Sequence, residues 1–168
     1  MIYRATSDGV FLGPDWRSAC LLGRSGVIAA EKKREGDGAS PKGVWPIRRV
    51  LYRADRGPPP VTALPLIAIR QDDGWCDAPG DPFYNRQITL PYPASAEALF
   101  RDDHVYDLII VIGHNDDPVR DGMGSAIFVH LERPERTPTE GCVALSRTDL
   151  ERLLAEAVMG DAIEITEA

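Results

Sequence analysis

Fifteen glycines and fourteen prolines are spread along the 168 residues, and they leave only short apolar runs between them. A helix interior tolerates both residues poorly, whereas a strand needs only a few residues between turns. This punctuation is the strongest constraint on the fold, and it predicts a mainly β chain. The runs that read as strands are Ile2–Thr6, Ala19–Leu22, Val27–Ala30, Trp45–Ala54, Leu64–Ile69, Gln87–Leu90, Tyr106–Ile112, Ser125–Leu131 and Ala162–Thr166. They are rich in Val, Ile, Tyr and Phe, the side chains that suit a pleated, half-buried surface.

Two segments read as helix. Ser95–Arg101 is short and weakly patterned. Arg147–Met159 carries Leu150, Leu153, Leu154, Ala157 and Val158 at i, i+3, i+4, i+7 and i+8, an apolar stripe on one face. Ser146 with Asp149 three residues on resembles a capping box, and Gly160 suits the far end. The expectation is a single domain over residues 1–168, a β architecture with one or two peripheral helices.

The charge balance narrows the partners. Twenty-six acids against nineteen bases give a net charge of −7, the wrong sign for wrapping nucleic acid or docking on an anionic membrane. The longest apolar run is Leu108–Ile112, far short of a membrane-spanning helix. The opening Met1–Thr6 lacks the basic and apolar regions of a secretory leader, so a cytoplasmic location is expected, and a periplasmic one if export uses another route. Cys20, Cys76 and Cys142 are odd in number and widely spaced, which leaves at least one thiol free and fits neither a disulfide framework nor a zinc motif. No metal and no cofactor is expected.

Four segments carry chemistry. Cys142 follows Gly141 between a Pro-containing loop and the capped helix; a glycine there lets the chain turn and bring N–H groups beside the sulfur, as an oxyanion hole requires. Cys142 is therefore read as a nucleophile, against the alternative of a small buried apolar residue. His130 ends a buried run, where an imidazole can face a nucleophile and draw its pKa down, or simply satisfy a strand end. Gly113-His114-Asn115-Asp116-Asp117 leaves a buried run as a ligand-contacting loop or as an Asx-type turn. Gly36-Asp37-Gly38-Ala39-Ser40-Pro41-Lys42-Gly43 is a dense turn without the ending of a phosphate loop.

Two of these segments resemble the L,D-transpeptidase catalytic domain, the YkuD-type family of cysteine enzymes acting on peptidoglycan stem peptides. Its signature is a His and then, after a loop, Ser/Thr-His-Gly-Cys. Here the matching residues are His130 and Thr139-Glu140-Gly141-Cys142-Val143-Ala144-Leu145. The Gly36–Gly43 turn matches the family's Gly-Asp-Gly-x-Thr-Pro-x-Gly, with Ser40 for Thr. Glu140 stands where most members carry a second His, Ala144 replaces a common Arg or Asn, and Leu131 follows the His where a small or hydroxyl residue is usual.

The resemblance implies a β-sandwich with a Cys–His pair in a groove and an attack on the amide before the terminal D-Ala of a tetrapeptide. His130 would take the Cys142 proton, and N–H groups at Gly141 and Cys142 would hold the oxyanion. Thr139, Glu140, His114 and Asn115 would contact the substrate, with Glu140 binding an ammonium or orienting His130. Stem peptides or muropeptides are the implied partners, with no nucleic acid and no membrane insertion; nothing in the sequence sets an oligomeric state. A thioester resolved by water makes an L,D-carboxypeptidase, the outcome expected here; one resolved by an amine makes a crosslink, and a non-enzymatic muropeptide binder is a third reading.

Overall fold

The computed structural model describes all of residues 1–168. Its organising element is one long strand, β5 (Ser40–Tyr52), preceded by β1 (Ile2–Thr6), β2 (Val10–Leu12), β3 (Arg17–Ala19) and β4 (Val27–Ala29). After it come β6 (Leu66–Ala68), β7 (Asp73–Cys76), β8 (Gln87–Thr89), β9 (Ala96–Ala98), β10 (Leu108–Ile112), β11 (Phe128–Leu131) and β12 (Val143–Leu145). The helix α1 (Arg147–Glu156) and β13 (Ala162–Thr166) close the chain.

Two strand sets share β5. Its first half, Gly43 to Pro46, pairs antiparallel with β13, which continues into β1, β2 and β3. Its second half, Ile47 to Tyr52, pairs antiparallel with β10, then β11, then parallel with β12, giving the order β12-β11-β10-β5-β13-β1-β2-β3. A register shift between Val111 and Ile112 bulges Arg48 out of the ladder.

Strand alternation sorts the side chains of β11 and β12 onto two faces. Val129, Leu131, Val143 and Leu145 join the larger core, where Leu150, Leu153 and Leu154 of α1 pack. Phe128 and Cys142 point the other way, into a second core with Trp75 of β7 and Tyr106. Trp75 stands edge-on to Phe128, centroids 4.9 Å apart, so the small sheet β8-β7-β9 covers part of this second face. The mainly β, sandwich-like expectation holds.

The differences from the sequence reading have physical causes. Ser95–Arg101 is not a helix: its centre is β9, paired with Gly74 to Cys76, because seven residues cannot nucleate a helix against an available strand partner. α1 ends at Glu156; Ala157 is extended and Val158 is half exposed, so the stripe stops at Ala157. The Ser146 hydroxyl caps α1 by accepting from the Asp149 N–H at 3.2 Å. The strand placed at Ala19–Leu22 overlaps the observed Arg17–Ala19 only at Ala19, and beyond it Leu21 makes just an isolated bridge to Ala144. The long strand begins at Ser40, inside the glycine-rich turn, since Ser40 to Lys42 pairs with β4. Four three- and four-residue strands, β2, β7, β9 and β12, are too short to register as separate apolar runs.

Candidate active site

Cys142 enters the site from the residue before β12, and His130 from the middle of β11. His130 lies opposite Ala144 in the parallel ladder, and the same register sets Cys142 beside Phe128, whose N–H donates to Cys142 Sγ at 3.3 Å. Residues two apart on a strand share a face, so Phe128, His130, Cys142 and Ala144 lie on one face of the sheet, and the last three line a cleft there. That cleft has a volume of about 630 Å³ and takes in His130, Cys142, Thr139 and Glu140.

The Thr139–Cys142 loop is held from two sides. Thr139 Oγ1 donates to the Cys142 carbonyl at 2.7 Å and accepts the Gly141 N–H at 3.1 Å, closing a tight turn. From across the chain, Ser40 Oγ donates to the Gly141 carbonyl at 2.8 Å and accepts the Gly23 N–H at 2.9 Å, and Ser40 is wholly buried. Gly141 has φ +136°, and a Cβ there would stand 2.8 Å from the Ala39 carbonyl oxygen, so only glycine fits. The turn motif and the cysteine motif are thus two halves of one hydrogen-bonded structure.

The charge state of the pair is set by burial. His130 Nδ1 lies 2.9 Å from the Leu131 carbonyl oxygen; a carbonyl only accepts, so Nδ1 carries the proton and Nε2 keeps a basic lone pair. Burial pushes the imidazole pKa down to about 4, with Arg101 and Arg133 adding to the effect and the Leu131 bond opposing it. Burial pushes the Cys142 thiol up to about 12, the Phe128 N–H opposing and Glu97 adding. The thiol donates to the Ala126 carbonyl at 3.1 Å. The resting pair is therefore neutral, where the sequence reading had the imidazole draw the thiol pKa down; the dry second core outweighs the attraction a charged pair would gain.

Several residues sit differently from the expectation. The Gly141 N–H is taken by Thr139, whereas the Cys142 N–H has no acceptor in the protein and is the free amide beside the sulfur. Thr139 is buried and its hydroxyl is committed to the loop. Glu140 turns outward, its carboxylate 3.0 Å from Arg24 Nε, and does not touch His130. His114 and Asn115 do not reach this cleft. His114 is buried edge-on against Trp45 at 4.8 Å, and burial lowers its pKa to about 4. Asn115 holds its own loop, donating to the Arg120 and Gly124 carbonyls and accepting the Arg120 N–H.

Sequence reasoning missed Tyr106 and Glu97. The Tyr106 ring meets His130 edge-on at 5.4 Å, and its hydroxyl donates to Glu97 Oε1 at 2.6 Å. Neither belongs to a local motif, so no signal short of the sheet pairing marks them. Cys20, Cys76 and Cys142 are all free and buried, but only Cys142 lines this cleft.

A thiol at the entry to one strand and an imidazole on its neighbour, sharing a cleft with a free backbone amide, define a cysteine acyl-transfer class of site. The family model of the L,D-transpeptidase catalytic domain, YkuD, matches residues 4–165, and the chain belongs to that family. No curated protein matches the chain.

Proposed function

We propose that the protein is an L,D-carboxypeptidase that releases the terminal D-Ala of peptidoglycan tetrapeptides through a thioester on Cys142. The observation that carries this reading is the placement of Cys142 and His130 on one sheet face in one cleft. In the first half-reaction the Cys142 proton passes to His130 Nε2 as Sγ bonds to the carbonyl carbon. The oxyanion accepts from the Cys142 N–H, a donor worth about 2.7–4 kcal/mol in such sites. The C–N bond then breaks, and the D-Ala amine leaves with the proton from His130. Water attacks the thioester, gives a proton to Nε2, and the sulfur departs to be reprotonated.

Substrate binding has to move the thiol hydrogen bond from Ala126 to His130, a tightening that apo sites commonly await. Lys33, Arg101 and Arg133 face the cleft together with Asp77 and Glu97, so both signs of charge meet a stem peptide that bears an ammonium and carboxylates. A volume of about 630 Å³ suits one small ligand.

The test is incubation with a purified disaccharide-tetrapeptide followed by mass spectrometry. Free D-Ala and a tripeptide product, both absent with Cys142→Ala, are expected. A crosslinked dimer would make the protein a transpeptidase, and tight binding with no turnover would make it a muropeptide binder.

A further inference from the structure

A second cavity of about 420 Å³ opens on the same face as Cys142, on the far side of the Trp75–Phe128 pair. The cross-strand row Arg49–Val111–Phe128 runs toward Cys142, so Arg49 stands three strand spacings from the nucleophile, roughly 14 Å. Three arginines line this cavity: Arg48, Arg49 and Arg86.

Their partners differ in a telling way. Arg48 is satisfied by a two-pronged pair with Asp116, at 2.8 and 3.2 Å. Arg49 has no carboxylate; it lies 5.7 Å over the Trp75 ring and makes a single side-chain hydrogen bond, to Gln87 Oε1 at 3.2 Å. Arg86 forms no ion pair. A chain with 26 acidic residues has carboxylates to spare, yet this concave site keeps two guanidinium groups without one. Holding Arg49 half-buried and unpaired is a standing cost, seen also in the lowering of its pKa by burial.

The floor beneath them is rigid. Asn85 accepts from Trp75 Nε1 at 2.9 Å and from the Ala126 N–H at 3.0 Å, and donates to the His114 and Asn115 carbonyls. At the rim stands Phe83, about half exposed and the only exposed ring among the Phe, Tyr and Trp residues of the chain.

The geometry points to an oxyanion site for a phosphorylated ligand that carries a planar ring, of the nucleoside diphosphate class. Two uncompensated guanidinium forks match a multiply charged phosphate, whereas one carboxylate would neutralise only one of them. Phe83 offers the ring a face to stack on. This site is independent of the thioester chemistry and stands or falls apart from it.

The experiment is titration calorimetry on the full chain at low salt with four probes: ADP, UDP, inorganic phosphate and acetate. Both nucleotides should bind, more tightly than phosphate, and acetate should not. Arg86→Gln, at an exposed position, should weaken nucleotide binding at least tenfold, Arg49→Gln should do the same, and Arg49→Lys should recover part of it. Phe83→Ala should bring the nucleotides down to the affinity of phosphate, and Cys142→Ala should leave binding unchanged. Absence of nucleotide binding at millimolar concentration, insensitivity to Arg86→Gln, or acetate binding as well as phosphate would each overturn the assignment.

Discussion

Replacing Ser40 with Ala removes one oxygen and strands two buried backbone groups. The hydroxyl accepts the Gly23 N–H at 2.9 Å and donates to the Gly141 carbonyl at 2.8 Å, and Ser40 has no exposed surface. The space freed is smaller than a water molecule, so solvent cannot take over either bond. An unsatisfied buried group costs about 1–3 kcal/mol, which puts the loss at about 2–6 kcal/mol for the pair. That is a large share of the roughly 5–15 kcal/mol that a domain has in hand, and it corresponds to a fall in Tm on the order of 10 °C. Because Gly141 precedes the nucleophile, D-Ala release should fall further than the folded fraction does. Urea denaturation measures the first effect, through a lower midpoint at unchanged m value. Ser18→Ala, whose hydroxyl makes only a 3.5 Å contact, is the control. A loss under about 0.5 kcal/mol, the range of an ordinary surface change, would refute the argument that Ser40 joins the two motifs.

Acid should destabilise the protein through its buried histidines. Burial holds His130 and His114 at about 4 against an ordinary 6.5. Between these values the unfolded chain takes up protons that the folded one refuses, so stability present above pH 6.5 is lost as pH falls toward 4, about 3 kcal/mol per histidine. His114→Phe should remove its share when urea midpoints at pH 7 and pH 4 are compared, and an undiminished acid loss would contradict this. Iodoacetamide should alkylate Cys142 slowly at neutral pH and faster as pH rises, since the resting thiol is protonated; rapid labelling at pH 7, read by intact mass, would reveal a thiolate instead. Glu140→Gln should change stability by less than about 1 kcal/mol and leave kcat for D-Ala release unaltered, because its partner Arg24 is solvent-exposed. A fall in kcat would return Glu140 to the reaction.

The sequence by itself determined the β class, the capped helix and the two motifs, because each depends on residues close in the chain. Turn-forming glycines and prolines limit element length locally, and Ser146 caps α1 with an atom three residues from its partner. Cys142 and His130 were legible for the same reason: each lies in a compact, recognisable segment. Only the tertiary structure decided what surrounds them. The pairing of β11 with β12 puts the imidazole and thiol on one face, and the second core then dries that face and keeps both groups neutral. Ser40 reaches Gly141 across the chain, and Tyr106, itself held by Glu97, meets the His130 ring from outside its strand. Asn115 and Thr139 have side chains that suit a ligand, yet the fold spends them on their own loops. Hydrogen bonds, burial and the dielectric around a charge depend on which atoms are near in space, and only folding brings together residues so far apart in the chain.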